Sequence, residues 1–307
     1  MNKRRLIYIL SPSYSGSTLL TMLMAQHPSI STIGELKATS MGDLDVYYCS
    51  CGSLIRECPF WESLNKSLNK LESELNLADF GTHFSSKNKI FNKILGAQVR
   101  SNAFEVVRNS LIRSVKPLNR QFNKILNKNM EMIEAICELQ AGSIFLDGSK
   151  DPHRLLYLHN SGLWDISVIK MVRDGRAQSN SNRLKEISNM NYEQSAIEWN
   201  KTIQQMNNVC RYIPSENIHE LKYEDLCADP NLEMESIWKF LSVENIDKNW
   251  EQINIKEFEH HILGNSMRTK EKIYISLDDG WKMKVTDKEN QVFDKVAGET
   301  NRSFGYE

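Results

Sequence analysis

Apolar positions along this chain change their period several times. Short runs of strand length, Arg5–Leu10, Ile30–Ile33, Ser143–Asp147, Ile166–Val172 and Ile218–Lys222, alternate with stretches of helical periodicity such as Ser17–Gln26. That alternation predicts an α/β fold, a parallel sheet of about five strands covered by helices on both faces. Between about residues 61 and 140 the pattern is different. Leu64, Leu68, Leu71 and Leu75, and later Ile90 and Ile94, recur among positions rich in Asn and Lys, which predicts an amphipathic helical insert. Its apolar stripes are expected to pack in the core, and its place in the chain makes it a candidate roof for a cleft at the sheet. Loop breaks are expected near residue 85 (SSKNK) and at Pro117.

Composition narrows the picture. A chain of 307 residues with one α/β pattern is expected to form a single domain over 1–307, carrying the insert at about 61–140. Its 38 Lys and Arg residues against 39 Asp and Glu give no bulk attraction for nucleic acid, so any phosphate affinity must be local. No apolar run reaches the roughly 18–20 residues that span a bilayer, and MNKRRLIYIL runs directly into the first motif, as a first strand rather than a signal peptide. The expectation is a cytoplasmic protein.

The first motif is Ser11-Pro-Ser-Tyr-Ser-Gly-Ser-Thr18, between a strand and an apolar helix. It has the length of the phosphate loop G-x-x-x-x-G-K-[ST], with Ser11 at the first glycine, Gly16 and Thr18 kept, and Ser17 where the nucleotide-triphosphate lysine belongs. Backbone N–H groups around Gly16, with Ser15, Ser17 and Thr18, can converge on an anion at the positive end of a helix. A 5′-phosphate suits that cradle. A serine-rich turn that simply caps the helix is the plainer alternative.

The second motif, Ser167–Arg183, is an apolar run ending in Arg173-Asp174-Gly175-Arg176, with Ser181 eight residues beyond Arg173. An arginine fork leaving a strand and a hydroxyl on the next helix can grip one phosphate from two sides, as a ribose 3′-phosphate requires. Alone, Asp174 reads as the N-cap of a strand-to-helix junction.

Together with LKYEDLCADP and GNSMR, the segments SPSYSGSTLL and VRDGRAQSNS resemble the sulfotransferase family that uses 3′-phosphoadenosine 5′-phosphosulfate (PAPS). The wording VRDGRA and Lys150-Asp151-Pro152 look most like the tyrosylprotein branch and its bacterial relatives. The resemblance implies a P-loop-like fold and sulfuryl transfer to a hydroxyl acceptor of small-molecule, carbohydrate, lipid or peptide type. It covers both loops and much of the C-terminal half, and leaves the middle of the chain unmatched.

Glu35, in HPSISTIGELK, follows a short strand and is expected at the carboxyl end of the sheet, where open α/β folds build their sites. The resemblance implies that it is the general base, since relatives carry an acid in a Gly-Glu motif at this place. Lys150, in FLDGSKDPHR, corresponds to the lysine of the family's Lys-Asp-Pro segment and implies an ammonium on the transferring group. Tyr14 stands where relatives place a basic residue, so Lys150, Lys37 or Arg268 must supply the cation. Arg268 also corresponds to a phosphate contact of the segment that closes over the nucleotide, while Trp281 and Tyr306 correspond to core aromatics.

No metal is expected in the chemistry, because a sulfuryl group carries less negative charge than a phosphoryl group. Cys49, Cys51 and Cys58 can supply three thiolates to zinc, but spacing offers no fourth ligand, and the expectation is reduced, structural thiols. His260-His261 reads as a turn or as packed histidines. Three functions of different kind remain: an active sulfotransferase, a weak or inactive PAPS binder, and a nucleotide kinase, the last disfavoured by Ser17.

Overall fold

The apolar run near the amino terminus forms the middle strand of a five-stranded parallel sheet. A computed structural model describes residues 3–38, 41–71, 73–184, 189–246, 248–254 and 259–307. Strand β1 (Arg4–Leu10) lies between β3 (Ile144–Asp147) and β4 (Trp164–Val172), with β2 (Ile30–Ser31) outside β3 and β5 (Ile218–Lys222) outside β4, in the order β2-β3-β1-β4-β5. Every pairing in this sheet is parallel, with Leu6 opposite Phe145 on one side and Ile166 on the other.

Because successive strand residues face opposite sides, β1 feeds two cores. Leu6, Tyr8 and Leu10 join the core that continues into the helices of the middle region. Ile7 and Ile9 pack with α1 (Ser17–Met24) and α10 (Pro230–Leu241). Burial on both faces explains why the strands read as unbroken apolar runs rather than alternating ones.

The region expected as a helical insert contains α2 (Pro59–Asn69), α3 (Lys89–Leu95), α4 (Asn102–Ser114) and the 25-residue α5 (Lys116–Gln140). Pro117 sits in the first turn of α5, where its missing N–H costs nothing, so the break falls between α4 and α5 as expected. Leu64 and Leu68 are buried, but Leu71 and Ile90 are exposed. The apolar period outruns the helices there: α2 ends at Asn69, and Ile90 lies in the first turn of the short α3.

Three further helices close the sheet, α6 (Pro152–Ser161), α7 (Gly175–Arg183) and α8 (Tyr192–Cys210), and α9 (Tyr223–Ala228) leads into α10. A small antiparallel pair, β6 (Gln252–Asn254) with β7 (Lys272–Tyr274), precedes α11 (Asp287–Phe293) and α12 (Glu299–Ser303). No helix among the described residues is long and apolar enough to cross a membrane.

Strand β2 is shorter than the expected Ile30–Ile33. The Thr32 N–H turns to Gln140 Oε1 at 2.8 Å, and the Ile33 carbonyl accepts from Ile262 N at 2.8 Å, so the chain leaves β3 for a C-terminal partner. Local pattern cannot show such a change of partner.

A buried ion pair joins sheet and insert. Arg154 Nη2 lies 2.9 Å from Asp147 Oδ2, and the same guanidinium donates to Thr82 O at 2.7 Å and Asn129 Oδ1 at 2.6 Å. Both side chains are inaccessible to water. Removing one partner leaves the other charge buried without compensation. Arg154→Ala is therefore expected to lower unfolding stability by about 3–5 kcal/mol in urea titration, a loss that an exposed Lys or Arg truncation will not match.

Candidate active site

In an open parallel sheet the crevice lies outside the carboxyl ends of the strands, and here the loops after β1, β2, β3 and β4 all end there. The loop after β2 carries Glu35 and the loop after β3 carries Lys150. Lys150 Nζ stands 2.5 Å from Glu35 Oε1, with both side chains about four-fifths buried. A small cleft brings this pair together with Ser17, Thr18 and Thr21 of α1, Gly34, Gly148, and the segment His261–Gly264.

The backbone around the pair is tightly held. Gly148 N donates to Gly34 O at 2.8 Å, and Lys37 N donates to Ser149 Oγ at 2.8 Å. Asp147 Oδ1 accepts from Leu36 N at 3.3 Å and Ser149 N at 3.0 Å. One buried carboxylate thus orients the residues flanking both members of the pair. Lys150 has φ 64°, a left-handed conformation that non-glycine residues adopt only where surroundings enforce it, often at functional sites.

Lys37 is engaged elsewhere. Its Nζ lies 2.5 Å from Asp151 Oδ2. Burial alone raises the Asp151 carboxyl, but the His153 hydrogen bond and the Lys37 charge outweigh it and hold the group below the usual carboxylate range. Asp151 also accepts from His153 N and Arg154 N as the N-cap of α6.

The loop after β1 has the shape expected of an anion cradle. Gly16 has φ 86° and is the N-cap of α1, which has no side-chain cap. Tyr223 packs directly against it, so that a Cβ at position 16 would lie 2.4 Å from the tyrosine ring. Ser15 Oγ donates within the loop to Pro12 O, and Thr18 Oγ1 accepts from Asn265 N at 3.0 Å. Tyr14 is left-handed at φ 63°, and partial burial raises its phenol above the ordinary range, so it brings a donor and no charge.

Arg173, at the end of β4, reaches across to this loop. Nη1 donates to Tyr14 O at 3.1 Å, Nη2 donates to Asp278 O at 2.9 Å and Oδ2 at 3.1 Å, and the guanidinium stacks over Tyr223 at 4.6 Å. The buried Nε has no hydrogen-bond partner among the described residues. Ser181 lies farther along α7, with its hydroxyl donating to Ala177 O at 3.0 Å.

Arg268 has a fastening position. It is buried, donates to Tyr48 O at 2.8 Å and His261 O at 3.3 Å, and stacks over Tyr47. Neither Arg268 nor Ser181 lines the cleft that holds Glu35 and Lys150.

Sequence reading missed two participants. Asp278, which pairs with Arg173, comes from a tail segment with no motif. Tyr223, within LKYEDLCADP, forms the floor beneath Gly16 and Arg173. The wall His261–Gly264 lies in the stretch whose resemblance implied a segment closing over the nucleotide, and none of the described residues of the helical insert lines the cleft. Gly264-Asn265-Ser266 was the available signal in the sequence for a turn there, and the structure gives Leu263 and Gly264 positive φ.

A more open depression lies at the opposite end of the strands, lined by Lys3, Arg4, Arg5, Glu134, Ser143, Trp164 and Asp165. It sits at the amino-terminal ends of the strands, and its arginines are engaged: Arg4 with Glu134 and Arg5 with Leu241 O. The site belongs at the other end.

Gly16→Ala is expected to lower stability by about 1–3 kcal/mol, the usual cost of enforcing a sparsely populated backbone conformation. Thermal unfolding of the variant against the parent measures the effect.

The Sulfotransferase family model matches residues 163–247, the span from β4 through α10. No curated protein sequence matches this chain. Among solved structures, the sulfotransferase domain from the curacin biosynthetic pathway is similar over 100% of this chain and 99% of its own, with TM-score 0.50 and 18% identity. The sulfotransferase domain of the Synechococcus PCC 7002 olefin synthase covers 100% and 96% at TM-score 0.48 and 18% identity. The family match covers the strand that delivers Arg173 and the helix that follows it, and the fold of the curacin-pathway sulfotransferase domain is shared along the whole chain.

Proposed function

We propose that the chain transfers a sulfuryl group from PAPS to a hydroxyl acceptor by in-line displacement. The observation that carries this reading is the Glu35–Lys150 ion pair, held at 2.5 Å in one cleft with Ser17 and Thr18 at the start of α1. It combines a proton acceptor, a cation and an anion cradle. The reading treats residues 1–307 as one cytoplasmic domain with its insert at about 61–140.

The donor set suits a nucleotide carrying two anionic ends. The helix start at Gly16 has no side-chain cap, which leaves N–H groups and a positive dipole end for a 5′-phosphosulfate. Arg173 Nε is buried without a hydrogen-bond partner among the described residues, and Arg173 already spans from the loop to Asp278, a geometry that supports contact with a 3′-phosphate. Ser181 and Arg268 have secondary roles here, Ser181 as a further hydroxyl on α7 and Arg268 as the residue that fastens the cleft wall.

In the reaction the acceptor oxygen attacks sulfur while Glu35 takes its proton. The bond from sulfur to the 5′-phosphate oxygen breaks, and the electron pair leaves with the nucleotide. Lys150 faces the charge that develops on the sulfonate and bridging oxygen, and the loop amides hold the leaving phosphate. Tyr14 adds an O–H donor or a packing surface where a basic residue would carry charge. Because Lys37 is held by Asp151 and Arg268 by backbone carbonyls, Lys150 is the cation best placed for this role.

Radiolabelled sulfate transfer to a panel of hydroxyl acceptors tests the activity. Glu35→Gln is expected to lower turnover by about 10²–10⁴-fold with nucleotide binding little changed, and Lys150→Ala by about 10²–10³-fold. Tyr14→Phe should cost less than about tenfold, since it removes a neutral donor only. Near-normal turnover in Glu35→Gln moves the base elsewhere, and a silent Lys150→Ala with a large gain from Tyr14→Lys favours a weakened, nucleotide-binding member.

Calorimetry should show far tighter binding of 3′-phosphoadenosine 5′-phosphate than of adenosine 5′-phosphate, with Arg173→Ala costing about 1.5–3 kcal/mol and Ser181→Ala less. Equal affinity for the two nucleotides removes the 3′-phosphate site. Preference for ATP instead revives the kinase.

A further inference from the structure

Cys49, Cys51 and Cys58 meet His260 on the far side of the cleft wall. Their four ligating atoms all lie within 4.8 Å of one another, although His260 is 202 residues from Cys58 in sequence. Spacing within the cysteine segment supplies three thiols, and tertiary structure supplies the fourth donor.

Three of the separations have the values of one tetrahedral ion's ligand shell. Thiolates at about 2.3 Å and an imidazole nitrogen at about 2.0–2.1 Å from one zinc stand about 3.8 Å apart from sulfur to sulfur and about 3.6 Å from sulfur to nitrogen. In this chain Cys51 Sγ lies 3.6 Å from Cys58 Sγ, and His260 Nδ1 lies 3.6 Å from Cys49 Sγ and 3.4 Å from Cys58 Sγ. All six cysteines are free thiols.

The surroundings hold these donors in place. Cys49 N donates to Ser53 O at 2.9 Å and Ile55 N to Tyr47 O at 2.9 Å, so a tight hairpin presents Cys49 and Cys51 from its turn. Cys58 is the N-cap residue of α2, and the His260 ring stacks on Phe60 of that helix at 4.4 Å and 7°. Ring orientation and hairpin therefore do not depend on the thiols bonding one another.

We propose that Cys49, Cys51, Cys58 and His260 Nδ1 bind a single zinc ion with a structural role. Soft thiolates with one imidazole in tetrahedral array select zinc among common divalent metals. Four protein ligands close the shell and leave no open position for substrate, so the ion does not act on the reacting atoms. Binding exchanges the thiol protons for the metal.

The ion ties the hairpin and the start of the insert to the strap that walls the cleft. His261, Ile262, Leu263 and Gly264 follow His260 directly and line the cleft with Glu35 and Lys150. The strap is also stitched to the hairpin by His261 N to Ser50 Oγ at 2.7 Å and Leu263 N to Tyr47 Oη at 2.7 Å. Metal binding stabilises the folded state by mass action, because the unfolded chain holds no such site.

Elemental analysis of the full chain, purified under reducing conditions with zinc supplied, tests the proposal without an activity assay. One zinc per chain is expected, released when a mercurial blocks the thiols and detected by a chromogenic chelator. Cys49→Ser, Cys58→Ser and His260→Ala should each lose the metal, whereas Cys210→Ser should retain it. Cobalt in place of zinc should show the visible bands of tetrahedral thiolate coordination. Removing the metal from wild-type protein should lower its melting temperature and speed proteolysis within the 259–268 strap. Protein that binds no zinc or cobalt and titrates as six free thiols overturns the proposal, as does a Cys51–Cys58 disulfide under the same conditions or metal loss in Cys210→Ser equal to that in Cys49→Ser. The wild-type measurements decide the matter even where a variant does not fold.

Discussion

The buried carboxylate of Asp147 is the constraint on which the candidate site depends. Through Oδ1 it receives the amides of Leu36 and Ser149, the neighbours of Glu35 and Lys150, and through Oδ2 it pairs with Arg154. A charge placed in the interior demands this full set of partners, since any one left out exposes it to the cost of desolvation. The same demand draws two loops from different strands to one place. Glu35 and Lys150 can then meet at hydrogen-bond distance although 115 residues separate them.

Arg154 extends that influence into the middle of the chain. Its remaining nitrogens bind Thr82 O and Asn129 Oδ1, while Thr82 Oγ1 donates to Leu36 O at 2.6 Å. The insert therefore braces the Glu35 loop from behind, and the cleft takes its other wall from the C-terminal strap. Stitching from Gly34 to Ile262 and from Thr18 to Asn265 brings that strap over both loops. Such bracing supplies the preorganisation that electrostatic catalysis needs, because donors fixed by packing do not have to reorganise as charge develops.

Backbone strain concentrates in the same region. Tyr14 and Lys150 are both left-handed without being glycine, and Gly16 sits against an aromatic ring. In Tyr14 the conformation turns the carbonyl toward Arg173, linking the first nucleotide-type loop to the second.

Much of this was legible in the sequence. Apolar runs of strand length separated by helical periods determined a parallel sheet with helices on both faces, because burial of both faces of every strand leaves that pattern. The glycine and hydroxyl residues of 11–18 marked the loop, Arg173 was readable from its place after a predicted strand, and Glu35 and Lys150 became candidates through the resemblance of their segments as well as their places after strands. Only tertiary structure decided which of them meet. It paired Glu35 with Lys150, occupied Lys37 and Arg268 elsewhere, brought Asp278 to Arg173, and shortened β2 by giving Ile33 a partner 229 residues away. It also put His260 beside three cysteines that local spacing left one donor short. The physical reason is the same in each case: periodicity records which face of a segment is buried, whereas a hydrogen bond or ion pair between distant loops depends on the angle and register at which whole elements pack.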